Sequence, residues 1–201
     1  MKNTHQNMAS LAPGRPKLAG FTLLELVTTM AIVAILMVIG VPSFKYITNS
    51  DRSTSQINNL LGDLQFARAE AIRTGQPVSL CFTNDGSTCA TAPATNAGWL
   101  VFKDVAGTGV YNSTLTPATL LKVQVPIATG QNQLTMDNGV IAVKFNRDGF
   151  ASALPTATAV TFTLHDATAT AAYTRCLSLS IVGAMQTSKS GETTLESTTC
   201  N

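Results

Sequence analysis

Apolar residues along this chain follow three regimes of spacing, and each predicts a different element. Residues 21–41 form a nearly continuous apolar run with one charge, Glu25, near its start. As a helix rising ~1.5 Å per residue, the run is roughly 31 Å long, which matches a bilayer hydrocarbon core of about 30 Å. It can cross a membrane once. Further on, Ile57, Leu60, Leu61, Leu64, Ala67, Ala71 and Ile72 recur three or four residues apart, the signature of one face of an amphipathic helix ending near Arg73. Thr74-Gly75-Gln76-Pro77 supplies the stop, because Gly accepts a left-handed cap and Pro cannot continue the ladder. Pro42, close to Gly40, should kink or locally melt the long helix by removing a donor and crowding the preceding turn.

Beyond Pro77 the pattern shortens to β-rich runs at residues 78–82, 99–102, 120–125, 140–145, 160–164 and 176–182. Turn sequences separate them, notably Asn84-Asp85-Gly86, Asp137-Asn138-Gly139 and Arg147-Asp148-Gly149. The expected fold class is therefore α+β: a long N-terminal α-helix packed through its second half on a C-terminal antiparallel β domain. The divisions are residues 1–20 as a leader, 21–42 as the membrane half of the helix, 43–76 as its amphipathic half and 77–201 as the β domain.

Glu25 changes the picture of the apolar run. A carboxylate near the centre of a membrane helix costs on the order of 3 kcal/mol, and less near an end, so its presence asks for a partner. Lys2, Arg15 and Lys17 precede the run with no acidic residue among them, which keeps residues 1–20 in the cytoplasm and sends the remainder outward. An ordinary secretory signal would place a small-x-small cleavage site after its apolar core. Here the core is followed by Gly40-Val41-Pro42-Ser43-Phe44, and the basic residues instead precede a Gly20-Phe21 junction. Any cut lies on the cytoplasmic side. The plainer alternative is an uncleaved single-pass anchor in which Glu25 is incidental.

The string Gly20-Phe21-Thr22-Leu23-Leu24-Glu25-Leu26, followed by an apolar helix and Pro42, resembles the class III leader of type IV pilins and type II secretion pseudopilins. The resemblance implies that a membrane prepilin peptidase cuts between Gly20 and Phe21 and that Phe21 becomes an N-methylated terminus. It also implies an assembly role for Glu25, the fifth residue after the cut, which would meet the terminal amine of a neighbouring subunit. A cationic amine is the kind of partner that a membrane-buried carboxylate requires.

Composition fits an exported domain. Cys81, Cys89, Cys176 and Cys200 make an even set, as disulfides in an oxidising compartment would. Of the three possible pairings, Cys81 with Cys89 and Cys176 with Cys200 each close a local loop. The second would pin a tail that otherwise frays. The spacings do not form the close Cys-x-x-Cys knuckles of a structural zinc site. The precursor's 13 basic and 11 acidic residues give +2, but loss of the leader's three cations leaves a net −1. The exported part lacks the basic balance of a nonspecific DNA binder.

Three further blocks narrow the resemblance: Phe66-Ala67-Arg68-Ala69-Glu70-Ala71-Ile72 with Gly75 and Val78-Ser79-Leu80-Cys81, then Gly98-Trp99-Leu100-Val101-Phe102-Lys103-Asp104, then Phe145-Asn146-Arg147-Asp148-Gly149. In that order they are similar to the GspH/FimT family of minor pilins and minor pseudopilins. Each block also has a local explanation: Arg68, Glu70 and Arg73 decorate the exposed side of the helix, Trp99 fills core, and Arg147-Asp148-Gly149 turns a hairpin. Members of that family that bind DNA carry a Gly-Arg-x-Arg element. The corresponding stretch here is Gly183-Ala184-Met185-Gln186, with both arginines absent, which counts against DNA as a partner.

No catalytic constellation is assembled by spacing. His5 lies in the leader, His165 is the other histidine, and Asp148 and Asp166 do not form a calcium loop. The expectation is a structural subunit with no enzyme activity, cofactor or metal. It would sit in the inner membrane before assembly, with its β domain in the periplasm, and then in a pilus or pseudopilus. Its partners would be other pilin or pseudopilin subunits.

Overall fold

A computed structural model describes residues 20–90, 98–111, 119–125, 132–154, 159–166, 168–195 and 197–201. Lys2, Arg15 and Lys17, on which the expected orientation rests, lie outside the described residues, as does His5. The chain divides at Phe44 into two compact units, residues 1–44 and 45–201. A single helix, α1 (Leu23–Thr74), is common to both. Of the two expectations at Pro42, a kink or local melting, the second does not occur, since α1 is helical on both sides of it. Proline removes only one ladder bond, and the rest of a long helix carries the segment through.

In the first unit the apolar side chains of α1 are uncovered: Leu23, Leu24, Met30, Leu36 and Val38 are all exposed. In the second unit α1 becomes a core element. Ile57, Leu60, Leu64, Ala67 and Ala71 are buried on one face. Ile72, expected on that face, is 52% exposed. It follows Ala71 by one residue and so stands about 100° round the helix from it, off the buried stripe. The helix ends at Thr74, and Gly75 takes the left-handed conformation with φ +66°.

Antiparallel strands follow. β1 (Val78–Thr83), β2 (Gly98–Lys103), β3 (Leu120–Gln124), β5 (Ala142–Phe145) and β6 (Ala151–Leu154) form a five-stranded sheet in the order β3-β2-β1-β5-β6. β4 (Gln133–Met136), β7 (Val160–His165), β8 (Arg175–Leu179) and β9 (Met185–Lys189) form a second sheet in the order β4-β7-β8-β9. β1 is buried at every position. One of its faces joins α1 in the main core, through Val78, Leu80 and Phe82, together with Phe145, Phe162 and Leu177. Its other face contributes Cys81 to a smaller cluster with Leu100, Phe102, Tyr111 and Ala142. A strand covered on both faces is largely apolar along its length, and residues 78–82 were legible because Ser79 is the one hydroxyl residue in them.

Several strand ends differ from expectation for local reasons. β5 begins at Ala142 because Asp137–Gly139 forms a short 3-10 turn closed by the Val140 amide on the Asp137 carbonyl at 3.1 Å. β8 stops at Leu179, where residues 180–184 fold into a turn with Gly183 at φ +77°. β4, β6 and β9 were not anticipated, and all three are edge strands. An edge strand buries less and so carries less apolar periodicity.

Both cysteine pairs are bonded as expected, Cys81 to Cys89 and Cys176 to Cys200. The second bond fastens a tail that folds over the outer face of β8 and β9. There the Cys200 amide donates to the Glu192 carbonyl at 3.0 Å and the Leu195 amide to Ser178 Oγ at 3.2 Å. A Cys176→Ser/Cys200→Ser variant should lose roughly 2–4 kcal/mol of unfolding free energy and release its C-terminal residues early in limited proteolysis. An unchanged cleavage pattern would mean that these hydrogen bonds hold the tail unaided.

Candidate assembly site

The start of α1 is built by Thr22. Its Oγ1 accepts the Glu25 amide at 3.2 Å, and its carbonyl accepts the Leu26 amide at 3.2 Å, which makes Thr22 the N-cap. Thr22-Leu23-Leu24-Glu25 is the sequence of a capping box, a signal that the hydropathy pattern overshadowed. Gly20 and Phe21 precede the cap in non-helical backbone and are exposed, so the bond between them lies open ahead of the helix. The cap belongs to the chain that would remain after a cut there.

Polar groups within the apolar run are satisfied locally with one exception. Thr28 Oγ1 donates to the Glu25 carbonyl at 3.0 Å and Thr29 Oγ1 to the Leu26 carbonyl at 2.9 Å. The Glu25 carboxylate has no hydrogen-bond or ion-pair partner among the described residues, and it stands in the first turn of α1. An acid in a first turn faces the positive end of the helix dipole, which offsets part of its cost without neutralising it. Exposed apolar side chains surround it, Phe21, Leu24 and Val27 among them. What the site can do chemically is accept a cation from another molecule.

In the second unit, long polar side chains tie α1 to the sheets. Asp63 accepts the Trp99 indole N–H at 2.8 Å and pairs with Lys122 Nζ at 2.7 Å, while Lys122 lies over the Phe66 ring. Trp99 is buried, as expected of a core residue. Arg175 is also buried, donating to the Ala172 and Thr174 carbonyls and to Ser50 Oγ. Asp104 accepts from Ser79 Oγ at 2.7 Å and from the Thr108 and Gly109 amides, which orders the loop after β2.

The expectation that Arg68 and Glu70 decorate the exposed side of α1 is wrong. Glu70 is buried and pairs with exposed Arg73 at 2.7 Å; that hydrogen bond holds its carboxyl below the ordinary value. Arg68 donates through Nε to the Gly149 carbonyl at 3.0 Å, through Nη1 to Gly183 at 2.9 Å and through Nη2 to Val182 at 3.2 Å. It thereby locks the β5–β6 turn, formed by Arg147-Asp148-Gly149 as expected, to the β8–β9 turn. Two glycines make the lock possible. A Cβ on Gly183 would lie 2.6 Å from the Gly149 carbonyl oxygen, and one on Gly149 would lie 2.8 Å from Ile72 Cδ1. Ala184 and Gln186, at the positions where DNA-binding relatives would carry arginine, are exposed and uncharged.

Comparison with known proteins agrees with this architecture. The family model described as Type II transport protein GspH matches residues 56–183, and the Prokaryotic N-terminal methylation motif matches residues 15–41. Among solved structures, the type IV minor pilin FimU of Pseudomonas aeruginosa PAO1 is similar at 19% identity. That match covers 79% of this chain and 99% of FimU, with a TM-score of 0.51. The minor pseudopilin EpsH from the Type 2 Secretion System of Vibrio cholerae matches at 15% identity over 70% of this chain and 98% of EpsH, with a TM-score of 0.47. No curated protein matches the chain.

Gly183→Ala should destabilise the second unit by about 1–3 kcal/mol, because it forces a left-handed alanine against a backbone oxygen. Arg68→Ala should cost a similar ~1–3 kcal/mol by stripping donors from carbonyls in both turns. Urea unfolding of each variant reads the shift. A midpoint equal to that of the parent in both cases would contradict the lock.

Proposed function

The chain belongs to the GspH family of type II transport proteins and bears the prokaryotic N-terminal methylation motif; from that premise we propose that it is a minor pilin of a type IV pilus. In this reading the prepilin peptidase cuts between Gly20 and Phe21 and the new Phe21 amine is methylated. Residues 1–20 face the cytoplasm, residues 21–41 sit in the inner membrane and the β domain lies in the periplasm. The subunit then leaves the bilayer for a helical filament, where it primes assembly or sits near the tip.

The observation that carries the proposal is the carboxylate of Glu25, left without a partner among the described residues in the first turn of an exposed apolar helix. In the bilayer this charge is costly, and in a filament it gains the terminal amine of a neighbour in a medium of low dielectric. Docking with the wrong register leaves both charges unpaired, so the pair selects position as well as partner. The remaining apolar side chains of the first unit exchange lipid for neighbouring helices and set no register by themselves.

A second reading is favoured by the description of the family itself. A minor pseudopilin of a type II secretion system would use the same leader and fold, and the genes beside this one distinguish a pilus cluster from a secretion operon. Direct DNA contact through the β8–β9 turn is not part of the proposal, because Arg68 spends its donors on backbone carbonyls and the turn adds no cation at 184 or 186.

Intact-mass and N-terminal analysis of protein recovered from membranes with active prepilin peptidase tests the pathway. The expected product begins at N-methylated Phe21. A retained Met1 would contradict it and leave a simple membrane anchor.

A further inference from the structure

Between Glu25 and Asp51, α1 carries no acidic residue, and Lys45 is its only base there. Tyr46 follows Val41 by five residues, a helical rise of about 7.5 Å that any tilt or kink only shortens. Headgroups thicken a bilayer from a ~30 Å core to about 40–45 Å, so the layer on each side is roughly 5–7 Å deep. With residues 21–41 in the bilayer, Tyr46 therefore falls at the level where a tyrosine, apolar in its ring and polar at its hydroxyl, is favoured. Lys45 beside it is exposed and can extend to lipid phosphate.

A second segment of the β domain stands at the same level. The Tyr173 ring packs on Tyr46 with centroids 5.5 Å apart, and even so Tyr46 is 52% exposed. Tyr173 closes a short 3-10 turn, Ala171–Tyr173, in the connection between β7 and β8. Thr168, Ala169, Thr170, Ala171 and Ala172 are exposed there, and residues 167–174 contain no charged side chain. Buried Arg175 fixes the turn to the helix, donating through Nη1 to the Ala172 carbonyl at 3.1 Å and through Nη2 to Ser50 Oγ at 3.0 Å. Asp166, the acid ahead of the turn, already accepts from the Thr168 hydroxyl and the Thr170 amide. What the turn presents is methyl groups, hydroxyls and one tyrosine.

We propose that the turn at residues 168–173 is a membrane-contact element, seated with Lys45 and Tyr46 in the periplasmic headgroup layer of the bilayer that residues 21–41 span. The proposal deepens the pilin reading and rests on its membrane stage. A single span leaves an attached domain free to swing about it. A second contact fixes which face of the β domain lies toward the lipid. An uncharged turn suits that place, because desolvating a charge at the lipid boundary is costly and desolvating methyl groups is not. Binding of this kind scales with the apolar area buried, and a few side chains bury little, so the contact orients the domain without holding the subunit back from a filament.

All four cysteines are in disulfides, so one added cysteine carries a fluorophore without competition. The test uses the full chain, processed by prepilin peptidase and reconstituted in vesicles of phosphatidylethanolamine and phosphatidylglycerol that contain a headgroup-nitroxide lipid. The label sits at Ala172→Cys or, for comparison, at Val123→Cys. Val123 is exposed on β3 next to Lys122, whose partner Asp63 lies about 25 Å beyond Tyr46 along α1. Quenching at 172 should exceed that at 123 at least fivefold. Tyr173→Ser should lower it at least threefold, as should Ala171→Glu, which leaves the aromatic pair in place. Equal quenching at the two positions, or indifference to both substitutions, would overturn the proposal. So would a label at 172 that is shielded only in filaments, since the turn would then meet a neighbouring subunit. A third label at Leu36→Cys, with the nitroxide on the acyl chain, tells two failures apart. Quenching at 36 but not at 172 removes this proposal alone, and quenching at neither removes the membrane reading beneath it.

Discussion

Everything in this protein follows from asking one helix to serve two solvents. α1 is continuous from Leu23 to Thr74, yet its first part exposes apolar side chains and its second part buries them. An apolar helix without cover is stable in lipid or among other helices, where its backbone bonds are satisfied internally. The second part is different, because a helix in water is held mainly by what covers its apolar face. Ile57, Leu60, Leu64, Ala67 and Ala71 find that cover in two antiparallel sheets. The β domain therefore supplies the cover that keeps the second part of the helix ordered in water.

Such a cover has to be attached along the helix, and polar side chains do this at separate heights. Arg175 reaches Ser50, Asp63 meets Trp99 and Lys122, and Arg68 holds the β5–β6 and β8–β9 turns. Each is well satisfied, so the cost of burying polar groups is offset and the geometry is specified more sharply than apolar packing alone would specify it. The contrast with Glu25 is physical. These side chains of the second unit find their partners within the chain, while the Glu25 carboxylate finds none among the described residues.

How much of this could be read beforehand depends on the range of the interaction. The apolar run, the helix stripe and the central strands β1, β2, β5, β7 and β8 are local patterns of burial, and they were legible. Of the edge strands, β3 was legible from residues 120–125, while β4, β6 and β9 were not, because polar residues such as Gln133, Ser152 and Gln186 break the alternation. Arg68 was misread for a different reason. Its partners lie 81, 114 and 115 residues away, and an arginine beside the apolar stripe of Leu64, Ala67 and Ala71 looks like a solvated one. Gly149 and Gly183 hinted at special turns, but only the folded chain shows that both turns meet at one guanidinium. The Thr22 cap was legible from its spacing to Glu25 and was eclipsed by the stronger apolar signal around it.

The account stands on Glu25 acting between molecules. Its most direct test is the incorporation of a Glu25→Ala variant into filaments, measured against its insertion in the membrane. Insertion should be unchanged or improved, since a costly charge is removed, while incorporation should fall sharply. A variant that inserts and incorporates as the parent does would contradict the account, and Glu25 would then be an acid tolerated at the end of a helix.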